Sequence, residues 1–217
     1  MLRLRFHRLT VEISYPLAAM MTAVILYDNS LSVVCCLMAV AVHESGHLIM
    51  LHRFGCMPER IRLTLFDIAI MDRSKALRGI RQELWVVLAG VAANIIVMAA
   101  VFPLMYFYHF RWAQQLFNAD LTLALFNILP VNTLDGGQAL GLILSSKLDI
   151  RTSLLIQDIV SLIIIIPLTA AGFLLLVSTR YNFSLLLTAV YLLALLLIKQ
   201  PHIRKASKKR RKKRHGI

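Results

Sequence analysis

Apolar residues run in long blocks separated by short polar stretches. The blocks predict six membrane-length segments, roughly Ile13 to Tyr27, Leu31 to Leu51, Leu84 to Tyr108, Leu116 to Leu144, Leu154 to Val177 and Phe183 to Ile198. Several reach the ~20 residues that a helix needs to cross a hydrocarbon core. Between the second and third blocks the pattern changes period. Arg60-Ile-Arg-Leu-Thr-Leu alternates polar and apolar positions and is followed by Phe66-Asp-Ile-Ala-Ile-Met, which predicts a short β-hairpin at the membrane surface. The expected fold is an all-α polytopic membrane protein of about six transmembrane helices, with a small membrane-associated β-hairpin between helices 2 and 3. Residues 1–198 are expected to form one membrane domain, and 199–217 a basic tail.

Composition agrees with a membrane setting: 59% of the residues are hydrophobic and mean hydropathy is +0.71. The net charge of +13 is distributed unevenly. With the N-terminus in the cytoplasm, 22 of the 24 Lys and Arg fall in cytoplasmic segments, leaving Arg111 and Arg180 outside. The positive-inside tendency therefore predicts a multi-pass cell-membrane protein with both termini cytoplasmic. The ten basic residues from Lys199 onward are expected to meet anionic lipid, and no nucleic-acid partner is expected because the tail lacks aromatic stacking residues. No small-residue cleavage site follows the first apolar block, which is expected to stay in the protein. Cys35, Cys36 and Cys56 have no C-x-x-C spacing and are expected as apolar thiols.

The chemistry begins in the second block. His43, Glu44 and His47 spell H-E-x-x-H, and on a helix positions i and i+4 share a face, so both imidazoles can reach one Zn²⁺ with Glu44 beside its open position. A catalytic zinc needs a third protein ligand. In the fourth block, Asn127-Ile-Leu-Pro-Val-Asn-Thr-Leu-Asp135-Gly-Gly places a carboxylate in an apolar segment broken by Pro130 and followed by two glycines. Irregular backbone at membrane depth is tolerated only against protein or water, so Asp135 is expected at a polar site, with a metal as its natural partner. Asp120 and Asp158 are expected near membrane interfaces, and the aromatics around Trp112 in an interfacial belt.

H-E-x-x-H on one membrane helix and N-x-x-P-x-x-x-x-D-G on a later one, about ninety residues on, resemble the site-2 protease family of intramembrane zinc metalloproteases. Within that family the chain is most similar to the bacterial sporulation factor IVFB branch. That branch often carries a CBS domain after the last span, whereas here nineteen residues follow Ile198, so nucleotide sensing through such a domain is not expected. The resemblance implies that His43, His47 and Asp135 ligate one Zn²⁺ per chain. Glu44 would be the general base that activates the attacking water and passes the proton to the leaving amine. Asn127 and Pro130 would shape the cleft for an unwound substrate, as would Asn94 in Gly90-Val-Ala-Ala-Asn94, where Val91 stands in place of the family's proline. The implied partners are a membrane-associated protein substrate, such as a pro-sigma or anti-sigma factor, and regulatory membrane proteins. Two other functions use the same residues, a metal-ion transporter and a non-catalytic membrane binding protein. A transporter would be expected to show paired broken helices and several membrane carboxylates along a path.

Overall fold

The computed structural model describes residues 2–6, 9–15, 19, 22, 30–56, 60–63, 68–71, 78–179 and 185–196. The chain forms two compact units, Met1–Asn127 and Ile128–Ile217. Most of the first expected span, parts of the loop from Arg53 to Arg81 and the basic tail lie outside the described residues.

The first unit opens with strands β1 (Leu2–Phe6) and β2 (Leu9–Ile13), followed by helix α1 (Leu31–Arg53), strands β3 (Arg60–Leu63) and β4 (Ile68–Met71), and helices α2 (Ile80–Tyr108) and α3 (Arg111–Ile128). The strands make one mixed sheet in the order β1-β2-β3-β4. β1 pairs antiparallel with β2 (Leu4 opposite Val11), β2 parallel with β3 (Val11 opposite Ile61), and β3 antiparallel with β4 (Ile61 opposite Ile70). Where the sequence predicts a hairpin, the structure has four strands. The two N-terminal strands alternate polar and apolar residues just as β3 does. A parallel pair needs a long crossover, and the connection from β2 to β3 carries α1.

Helix α1 ends where Gly55 takes φ +67°, the left-handed conformation that glycine adopts without a Cβ penalty. The amide of Cys56 then donates to Leu51 O at 2.9 Å, and His52 and Arg53 in the last turn suit the negative helix end. At the start of α2, Gln82 Oε1 accepts from the Gly79 amide, while Arg78 Nε donates to Glu83 Oε2 at 2.7 Å in an ion pair that is almost wholly buried. The two helices approach closely through small residues. A Cβ on Gly46 of α1 would strike Ala89 O and come within 2.8 Å of the Ala93 Cβ. Close approach of this kind is how membrane helices gain packing when no hydrophobic driving force separates them from lipid. Cys35, Val101, Ala113 and Leu116 form the apolar cluster at the other end of this unit.

The second unit begins at the break that Pro130 predicts. Residues 129–134 leave the helical path, and α4 (Asp135–Lys147), α5 (Ile150–Thr179) and the short apolar helix α6 (Leu185–Leu196) follow. Val131 packs with Ile165, Leu192 and Leu196. Asp149 caps α5, its Oδ2 accepting from the Arg151 amide at 3.3 Å.

Among the described residues, α1, α2 and α5 are long and apolar enough to cross a membrane. The surface pattern is that of a chain in an apolar solvent. Large hydrophobics such as Met38, Ile49, Ile96, Ile163 and Leu174 are exposed, whereas His43, His47, Asn94, Asp120 and Asp135 are buried.

Candidate metal centre

His43 and His47 sit one turn apart on α1 and both are buried. Each ring is held from behind by α2. His47 Nδ1 lies 2.8 Å from Val86 O, and because a carbonyl only accepts, Nδ1 carries the hydrogen and Nε2 the lone pair. His43 Nδ1 lies 2.8 Å from Asn94 Oδ1. The orientation of that amide is fixed by its other end, where Nδ2 donates to Ala39 O at 3.2 Å and to Asp120 Oδ1 at 2.6 Å, two groups that accept. Asn94 therefore presents its oxygen to His43, and His43 too is protonated at Nδ1.

Both Nε2 lone pairs consequently point into one space, 3.3 Å apart. Two acceptors facing at that distance repel one another, and a shared cation relieves the repulsion. A tetrahedral ion held at about 2.05 Å from each nitrogen would separate them by about 3.3 Å, so the pair fits Zn²⁺ without rearrangement. Gly90 of α2 keeps the space open: a Cβ there would stand 2.5 Å from His47 Nε2 and 2.7 Å from His43 Nε2. Glu44, next in the chain to His43, is half-buried.

Asp135 is the first residue of α4 and is buried. Its two following glycines have a steric reason. A Cβ on Gly136 would meet the Ile128 and Leu129 carbonyls, and one on Gly137 would meet the Val131 carbonyl and the Asn132 amide, so the first turn of α4 packs against the backbone of the break only without side chains. Three residues of α5 hold that backbone. Ser161 Oγ accepts from the Asn132 amide at 2.9 Å and donates to Gln157 O at 2.8 Å, Asn132 Nδ2 donates to Asp158 Oδ1 at 3.3 Å, and Gln157 Nε2 donates to Gly137 O at 2.6 Å. His43 and His47 are buried in the first unit and Asp135 in the second, and all three are residue types that ligate zinc.

The other expected site residues are placed as follows. Asn94 is fully buried and bonded to His43, Ala39 and Asp120. Asn127 is half-buried and donates to Leu123 O one turn back in α3, and Pro130 lies in the break. Two carboxylates expected near membrane interfaces make specific bonds inside the protein. Asp120 is fully buried on Asn94, and Asp158 bonds the broken segment. Their signal was visible as carboxylates within apolar blocks, but their partners lie 26 residues away in each case.

No protein-family model matches the chain, and no curated protein matches it in sequence. The fold is similar to that of a solved structure, the Site-2 Protease from Methanocaldococcus jannaschii, with TM-score 0.60 and 20% identity over 88% of this chain and 91% of that one.

Proposed function

We propose that this chain is an intramembrane zinc metalloprotease that hydrolyses peptide bonds in or near the transmembrane segments of membrane-associated proteins. The observation that carries the reading is the pair of buried imidazoles whose tautomers leave both Nε2 lone pairs facing one space 3.3 Å across, on the helix that also bears Glu44. The shared fold with a protein called a Site-2 Protease supports it. In this reading His43, His47 and Asp135 hold one Zn²⁺. When bound, the ion supplies Lewis acidity that polarises a scissile carbonyl and acidifies water.

The chain's own residues do the rest. Glu44 takes the proton of the attacking water and returns it to the leaving nitrogen, the work of a positioned general base and acid. Val86 O and Asn94 keep the imidazoles in their ligating tautomers, so no reorganisation is needed when the ion binds. The non-helical residues 129–134, with Asn127 and Pro130, border the cleft in which a substrate helix unwinds, since intact helical hydrogen bonds would hide its carbonyls. The substrate is a membrane-tethered regulator such as a pro-sigma or anti-sigma factor. The protein crosses the cell membrane several times with both termini in the cytoplasm, and its tail rests on anionic lipid.

The test compares membrane proteomes of cells carrying the native protein with those carrying Glu44→Gln. A membrane protein fragment that appears only with the native form supports the proposal. Identical fragment sets under conditions in which the native protein is expressed and zinc-loaded would reject it.

A further inference from the structure

Asp120 is not among the proposed ligands, yet it is 0% exposed and spends one carboxylate oxygen on Asn94 at 2.6 Å, while its Oδ2 is buried with no hydrogen-bond partner among the described residues. A buried oxygen left without a partner costs stability, and a buried carboxylate in an apolar segment costs more. Stability therefore does not explain why a carboxylate stands here in α3. Its one hydrogen bond does.

We propose that Asp120 is a positioning residue for the metal centre, acting on His43 through Asn94. The inference rests on the reading that His43 ligates a metal ion. The Asn94 side chain has two possible orientations that differ by exchange of its oxygen and nitrogen. With Asp120 and Ala39 O both accepting, the NH₂ group faces them and the oxygen faces His43 Nδ1. The opposite orientation would set Oδ1 against two acceptors. Remove Asp120 and only Ala39 O, at the longer distance of 3.2 Å, resists the exchange. An exchanged amide presents N–H to Nδ1, which must then accept. The imidazole proton moves to Nε2, where it occupies the lone pair that the ion needs. Asp120 thus selects the tautomer of a ring that it does not touch.

Zinc affinity, measured by competition with a chromophoric chelator on the purified full chain in detergent, separates this role from a packing role. Asp120→Leu, which keeps the branching at Cγ and removes the acceptor, should weaken zinc binding by about 10- to 100-fold, the usual worth of a group that orients a ligand from behind. Asp120→Asn still offers an acceptor to Asn94 and should recover about tenfold of that loss, although its buried NH₂ lowers the melting temperature as much as leucine does. Native zinc affinity in Asp120→Leu, in a protein whose native form binds zinc and whose His43→Ala form does not, overturns the inference and leaves the metal site standing. A native protein that binds no zinc overturns both. The unaltered protein gives a second reading should Asp120→Leu fail to fold. Nitrogen-15 resonances of the zinc-free chain should show His43 protonated at Nδ1, and protonation at Nε2 overturns the inference.

Discussion

Gly90 and His47 stand so close that one added methyl group at residue 90 would lie 2.5 Å from Nε2 of the ring. The same methyl would be 2.7 Å from His43 Nε2, so a single glycine on α2 clears the space in front of both imidazoles. Gly90→Ala should therefore reduce zinc affinity by at least about tenfold through displacement of the ligands. The helix itself should persist, because alanine is the better helix former. Zinc content together with far-ultraviolet circular dichroism checks this, and full zinc with unchanged affinity would contradict it.

Glu44→Gln should leave zinc binding at its native level, because the residue is not among the proposed ligands. Hydrolysis of a transmembrane peptide should fall by a factor on the order of 10² to 10⁴, the range for a lost general base. Removing zinc from the native protein with a chelator should abolish cleavage, and adding zinc back should restore it. Chelation should have no further effect on a variant that is already inactive.

Asp135→Ala should lower the zinc content below one ion per chain or weaken its affinity by orders of magnitude, as expected when one of three protein ligands is lost. Metal analysis after gel filtration measures it. Unchanged zinc would remove Asp135 from the ligand set while leaving the histidine pair in place.

Ser161→Ala leaves the Asn132 amide without its acceptor and Gln157 O without its second donor. A buried donor deprived of its partner costs about 1–3 kcal/mol and a part-buried one such as this amide less, so the melting temperature in detergent should fall modestly. Cleavage should fall with it, because the backbone that leads into Asp135 is no longer pinned to α5.

Topology is tested by a cysteine at Ser207 in a form lacking the native cysteines. It should resist an impermeant thiol reagent applied to intact cells and react after lysis. Labelling from outside would reverse the orientation of every span and with it the side on which the product leaves.

Much of the candidate site is legible one segment at a time. The spacing of His43 and His47 puts both rings on one face of α1 whatever surrounds them, because helical geometry repeats every 3.6 residues. Pro130 forces the helix to break, and Gly136 and Gly137 mark where the backbone packs too tightly for side chains. Long apolar blocks declare the solvent. All of these are properties of local covalent chemistry, so the sequence alone determines them.

Other features depend on residues that meet only when the chain has folded. β1 and β2 carry the same alternation as β3, but pairing is a choice of partner, and the parallel register of β2 on β3 needs a crossover through α1. Asn94 reaches His43 across 51 residues and Asp120 across 26, pairings that no local pattern in the sequence announces. Which nitrogen of His43 carries the proton is decided by that chain of acceptors, because a neutral imidazole has two tautomers of similar energy and only a hydrogen bond from outside the motif chooses between them.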